Sequence, residues 1–246
     1  MSLLERLCRK FLKRRGYHVS SGTQDHDDYT LLRYEKNGIF DYEGYVEVQT
    51  RGNHEKIDKI WADEPTIELI CGYLRASLPF IRSGLCHGSR NGAEVRWFRK
   101  HLDGIEVIGT DISDTAGNHG LVQWDFHEPR DDWKGRFDFI YTNSHDHAYD
   151  PRKAFATWVG QLSPGGKLLI EHTVMHSAEG VSQLDPFGVD ARVMPYVLLD
   201  FAQGSYAVTR ILKPGHRKAG SPIWVFVVEA LPVRVPADPS AVSAAF

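Results

Sequence analysis

The sequence predicts an α/β fold: a seven-stranded, mostly parallel sheet with an antiparallel last strand and a helical N-terminal extension. Three observations lead there. After Pro79, short apolar runs rich in Val, Ile, Phe and Tyr recur as "PFIRSGLCH", "IEVIGTDI", "LVQWDF", "FDFIYTNS", "GKLLIEHTV", "YAVTRIL" and "PIWVFVVEAL". Near-continuous apolar character marks strands covered on both faces, as in parallel sheets. Helical segments at 93–102 and 151–162 separate several of these runs, giving the strand and helix alternation of an α/β domain. The last two runs, 206–212 and 222–231, are joined by the turn-rich "KPGHRKAGSP", which suits an antiparallel pair at the edge.

Along the chain, the first helix places Leu3, Leu4, Leu7, Cys8, Phe11 and Leu12 on one side and five basic residues on the other, the pattern of a helix covering its own domain. From Tyr42 to about Leu74 the text reads as one or two helices, with Pro65 as a first-turn residue of the second. Gln49, Asn53 and Lys56 fall at i, i+4 and i+7 and form one stripe if the helix runs through Gly52, with Trp61 a little further along. These segments make up a helical extension or cap over 1–78, followed by the α/β domain over 79–231. Residues 175–204 are long for a connection, which predicts a lid or an edge-covering helix. The Pro-, Ala- and Ser-rich tail 232–246 offers little to pack.

With 246 residues, 42% hydrophobic and 25% charged, the chain can bury a full core. Lys and Arg number 29 against 32 Asp and Glu, and the net charge of -3 points to neither nucleic acid nor an anionic membrane. Cys8, Cys71 and Cys86 form no disulfide or zinc pattern, which predicts a reducing, cytoplasmic setting. No apolar run approaches the roughly 20 residues of a membrane span.

Functional residues are expected where ligands sit in open α/β sheets, at the carboxyl ends of the strands. The loop "GLCHGSRNG" follows the first run: Gly88 allows a sharp turn and Gly92 lets a helix N-terminus approach a ligand. The second run ends at Asp111, 23 residues after Gly88, near the offset at which an acid receives ribose hydroxyls, with Ile112 placed to pack on a base. The third ends at Asp125, able to accept from an exocyclic amine, between the apolar neighbours Trp124 and Phe126. Together these describe a site shaped for adenosine.

In these pieces, and in "FDFIYTNSHDHAYDP" and "LSPGGKLLIEHT", residues 80–230 resemble the class I S-adenosylmethionine-dependent methyltransferases. The resemblance implies a Rossmann-like sheet, S-adenosylmethionine as cofactor, and cofactor-binding roles for Gly88, Arg90, Asn91, Gly92, Asp111 and Asp125. The loop departs from the family pattern, because Cys86 stands where an acid is usual and Arg90 where a central glycine is usual. Glu94 or Asn143 is then expected to hold the cofactor's amino group, and Arg90 to point away from sulfur.

Methyl transfer to a hydroxyl benefits from a general base, and His145, Asp146, His147 and His172, near the ends of the fourth and fifth runs, are the candidates. His145 and His147 share a face if their stretch is extended. With His176 and Asp150 these residues also permit a divalent ion, but no further ligand stands at a fixed spacing and no metal is assigned. Gln49, Asn53, Lys56 and Trp61 are expected to close over the cofactor and contact a small-molecule or glycan acceptor that is methylated at oxygen. A homodimer is compatible with this reading. A nicotinamide-dependent oxidoreductase and a non-catalytic cofactor-binding module are the alternatives.

Overall fold

The computed structural model describes residues 23–26 and 28–232. The N-terminal amphipathic helix and almost all of the tail lie outside them. Seven strands form the central sheet: β1 Ser83–His87, β2 Glu106–Asp111, β3 Val122–Gln123, β4 Phe137–Thr142, β5 Leu162–His172, β6 Tyr206–Leu212 and β7 Trp224–Ala230. Their order across the sheet is β6-β7-β5-β4-β1-β2-β3, and only β7 runs against its neighbours. The sequence-based fold class is the observed one.

Among the described residues, five α-helices pack around the sheet: α1 Tyr42–Glu55, α2 Glu64–Ser77, α3 Ala93–His101, α4 Pro151–Gly160 and α5 Met194–Ala202. Their starts are written locally. The Asp41, Asp63 and Asp150 carboxylates accept the backbone N–H of Gly44, Thr66 and Lys153, capping α1, α2 and α4, with proline in the first turn of the latter two. Alternate strand residues then sort into two cores. Cys86, Phe139, Leu169 and Val225 pack beneath α2 and α3, while Leu85, Ile140, Ile170 and Phe226 pack beneath α4 and α5. Both faces are therefore buried, and this explains the unbroken apolar runs.

The expected N-terminal extension divides in two. α2 is part of the core layer, its Ile67, Ile70 and Leu74 fully buried against the sheet, so the domain reaches back before residue 79. α1 instead caps the carboxyl ends of the strands, with Tyr45 packed in a small cluster beside Ile112 and Tyr149. The described residues before Tyr42 hold short strands rather than a helix: Thr23–Asp25 pairs with Thr30–Leu32, which pairs in turn with Phe187–Gly188 from the 175–204 connection. That connection divides in two. Its first half reaches over the strand ends, and its second half forms α5, which covers the sheet.

Candidate functional site

Alternate left-handed residues shape the loop after β1: Gly88 at φ 69°, Arg90 at 43° and Gly92 at 71°. Arg90 thus takes the backbone conformation that a glycine would supply, at a cost of about 1–2 kcal/mol for an L residue. Its contacts offset this cost. The Arg90 backbone N–H donates to Asp111 Oδ2 at 2.9 Å, and the guanidinium donates to the Lys59 carbonyl at 3.1 Å. Asn91 Nδ2 donates to the Ile57 carbonyl at 2.8 Å. Loop and α1–α2 linker are therefore fastened together. A Cβ on Gly88 would lie 2.6 Å from Ser144 Cβ, so this loop also presses against the end of β4.

Above the loop lies one cleft with two compartments, which share Gly88, Arg90, Ser144 and His147. The inner compartment, about 50 Å³, is lined by Asp111, Ile112, Asp125 and Phe126 from the strand ends. Tyr45, Gln49, Gly52 and Asn53 of α1 roof it together with Leu184. Gln49 Nε2 donates to the Leu184 carbonyl at 2.8 Å, and Thr115 Oγ1 donates to Asn53 Oδ1 at 2.8 Å. The outer compartment, about 330 Å³, is bordered by Lys56, Trp61, Asn91, Glu94 and Asn143, with Asp146, His176 and Asp185 on its other walls.

The two strand-end acids differ electrostatically. Burial raises the Asp111 carboxyl above its ordinary pKa, opposed by the backbone N–H donors of Ser113 and Arg90. Burial works in the same direction on Asp125, but the His127 ring and backbone N–H groups outweigh it and lower its pKa. Tyr42 of α1 also donates to Asp125 Oδ2 at 3.0 Å. Trp124 does not join them. Its indole N–H donates to the Glu128 carbonyl at 2.9 Å and its ring packs beside Arg130, outside both compartments.

Glu94 and Asn143 form a complementary pair in the outer compartment. Burial pushes the Glu94 carboxyl up to about 7. Its Oε2 has no hydrogen-bond partner, and neither does the Asn143 Nδ2 donor. An unpaired buried polar atom costs about 1–3 kcal/mol. Cys86, at the position where an acid is usual, is fully buried in the core and faces no compartment, so it cannot substitute.

The histidines separate into two groups. His145 and His172 are completely buried, joined Nε2 to Nδ1 at 3.0 Å, and line neither compartment. Burial and the neighbouring imidazoles hold His145 well below its ordinary pKa, and burial takes His172 to about 4. As placed, neither reaches the cleft, which corrects the expectation that they act as bases. His147 and Asp146 do line the cleft. His147 Nδ1 meets Gln49 Oε1 at 2.8 Å. Leu184, Asp185, Tyr42 and Tyr45 are members of the site that the sequence does not disclose.

No protein-family model matches the sequence, and no curated protein matches it. Solved structures do resemble the fold. One is a Burkholderia thailandensis 1,6-didemethyltoxoflavin-N1-methyltransferase with bound 1,6-didemethyltoxoflavin and S-adenosylhomocysteine, at 15% identity and TM-score 0.60, covering 88% of this chain and 99% of that one. A second is the N-methyltransferase NodS of Bradyrhizobium japonicum with S-adenosyl-L-homocysteine, at 13% identity and TM-score 0.56, covering 75% and 99%. A third is described as a putative sarcosine dimethylglycine methyltransferase from Galdieria sulphuraria, at 13% identity and TM-score 0.52, covering 66% and 84%. At these identities the shared property is the fold.

Proposed function

We propose that this chain is an S-adenosylmethionine-dependent methyltransferase acting at oxygen on a polar small molecule or sugar-containing acceptor. The observation that carries the reading is the unpartnered pair Glu94 Oε2 and Asn143 Nδ2, on two residues that line the outer compartment. One is a buried acceptor and the other a buried donor. An amino acid moiety presents an ammonium to the first and a carboxylate to the second, which satisfies both.

The remaining residues fit the rest of the cofactor. Asp111 spends one lone pair of each oxygen on a backbone N–H and keeps others for ribose hydroxyls. Ile112 and Phe126 give apolar walls for a base, and Asp125 offers an acceptor at its edge. α1 and Leu184 roof the inner compartment, and their parting would open it further to a nucleoside. Their contact through Gln49 is the latch. When bound, S-adenosylmethionine supplies an electrophilic methyl group on a sulfonium. The chain's part is to align acceptor and methyl group and to exclude water, and orientation of this kind contributes several kcal/mol.

Calorimetric titration with S-adenosylhomocysteine tests the reading, with saturable binding at micromolar ligand as the expected result. Absence of binding at millimolar ligand would refute it. Binding without methyl transfer to any of a broad panel of hydroxylated acceptors would favour the non-catalytic module instead.

A further inference from the structure

We infer that Asp146, His147 and Asp185 form a divalent-cation site on the wall of the outer compartment, where it would receive the acceptor's oxygen; this use of the cation rests on the methyltransferase reading. A backbone carbonyl sets the protonation of the cluster. The Leu184 C=O can only accept, so the Gln49 side-chain nitrogen faces it, at 2.8 Å. Gln49 Oε1 therefore faces His147 Nδ1, also at 2.8 Å. That oxygen can only accept, so His147 carries a proton on Nδ1, and in the neutral form of the ring Nε2 is a bare acceptor.

That nitrogen points at two carboxylates. Asp185 Oδ1 is 3.6 Å away and Asp146 Oδ1 is 3.9 Å away. Asp185 Oδ2 is taken by the Ser182 hydroxyl at 3.0 Å, which leaves Oδ1 for the cluster. Asp146 is nine-tenths buried, and its Oδ1 has no hydrogen-bond partner. One ligand atom from each of the three residues lies within 4.8 Å of the others. With the ring neutral and both carboxylates ionised, three acceptors converge here, an arrangement stable only around a cation or an added proton.

The spacing favours a metal over an ammonium. Acceptors about 2.8 Å from an ammonium nitrogen in tetrahedral array would stand roughly 4.6 Å apart. Ligands at about 2.1 Å from a small divalent ion stand roughly 3.0–3.4 Å apart. Mutual repulsion among unliganded acceptors widens a site, yet the two distances from His147 Nε2, 3.6 and 3.9 Å, are already shorter than an ammonium needs. Two carboxylates with one imidazole suit manganese, iron or zinc. The Gln49 contact to the far ring nitrogen is the kind of outer support that fixes a ligating histidine. Asp185 comes from the 175–204 connection and Gln49 from α1, so cation binding would also hold the roof down. An ion held there would have coordination positions left for an acceptor hydroxyl, lowering its pKa.

The test uses the full chain, freed of metal with chelator and titrated with Mn²⁺, following loss of the free-ion electron paramagnetic resonance signal. One saturable Mn²⁺ per chain is expected, weakened at least tenfold in both Asp146→Asn and Asp185→Asn. Histidine ¹⁵N resonances in the diamagnetic, Zn²⁺-titrated sample should show His147 protonated at Nδ1 only, with its Nε2 shifting on zinc addition. Absence of saturable Mn²⁺ binding, or equal binding by both variants, would overturn the proposal. So would a His147 protonated at both nitrogens and unmoved by Zn²⁺, which would assign the cluster to a shared proton. Calorimetry with S-adenosylhomocysteine on the same sample separates the two readings: binding without a metal response removes only the cation site.

Discussion

Replacing Glu94 by glutamine should weaken S-adenosylhomocysteine binding and remove most of its pH dependence. In the free protein the carboxyl is buried at about 7, so it is roughly nine-tenths ionised at pH 8 and one-tenth ionised at pH 6. A ligand ammonium needs the ionised form. If the complex holds Glu94 charged throughout this range, affinity falls about tenfold from pH 8 to pH 6, in proportion to the competent fraction. The substitution also removes a charge-assisted hydrogen bond worth about 1.5–3 kcal/mol, or roughly 10- to 150-fold in Kd at pH 8.

Stability provides a control with the opposite sign. The folded pKa of Glu94 lies above the ordinary value of 4.5, so native chain binds a proton that unfolded chain has released. The group therefore destabilises the fold increasingly as pH rises from about 4.5 to 7, and the full penalty, at most about 3 kcal/mol, persists above that. Glu94→Gln should raise the thermal midpoint of the free protein at pH 8 and leave it nearly unchanged at pH 4.5. Calorimetry at pH 6, 7 and 8 with denaturation scans of both proteins checks all of this. A variant that binds S-adenosylhomocysteine within twofold of the parent and keeps its pH profile would refute the assignment of Glu94 to the ammonium.

Asp111→Ala should reduce S-adenosylhomocysteine affinity by at least 100-fold, because it removes the ribose acceptor and frees the Arg90 N–H that fixes the loop; an unchanged calorimetric Kd would exclude Asp111 from the site. Gly88→Ala should lower the thermal midpoint and weaken binding together, since its Cβ would meet Ser144 at 2.6 Å on a left-handed backbone, and a parent-like melting curve would contradict that packing. Gln49→Ala should leave the sheet intact and speed hydrogen exchange at 181–186, where its side chain now holds the Leu184 carbonyl; unchanged exchange there would mean that Gln49 is not the latch.

The half of the site built on strand ends is legible in the sequence, because backbone geometry fixes it. A strand that ends in Asp111 must deliver that carboxylate to the carboxyl edge of the sheet, and a turn following Gly88 must come back beside it. Arg90 reads as a flaw only if residue type is taken for conformation: it adopts the left-handed backbone and anchors the loop through Lys59. Trp124 departs from its expected place because β3 is only two residues long, too short to impose strand alternation on the residues after it. The histidines depart for a related reason. "HDH" is not extended but a turn of 3₁₀ helix over His145–His147, where residues two apart point about 120° from each other rather than sharing a face. His145 therefore turns into the core while Asp146 and His147 line the cleft.

The acceptor half is less legible because its residues are neighbours only after folding. Gln49, His147 and Asp185 belong to three segments and meet at one imidazole. No local period marks Asp185, whose place depends on the Ser182 turn and on the short strand Phe187–Gly188 pairing with Thr30–Leu32. These pairings fasten the connection at one end, and Gln49 fastens it at the other through the Leu184 carbonyl and the His147 ring. A change at Gln49 therefore reaches the roof of the cofactor compartment and the wall of the acceptor compartment through one amide. On the proposed reading, closure over the nucleoside and ordering of the acceptor site would be one event, joined by the two contacts of the buried Gln49 amide.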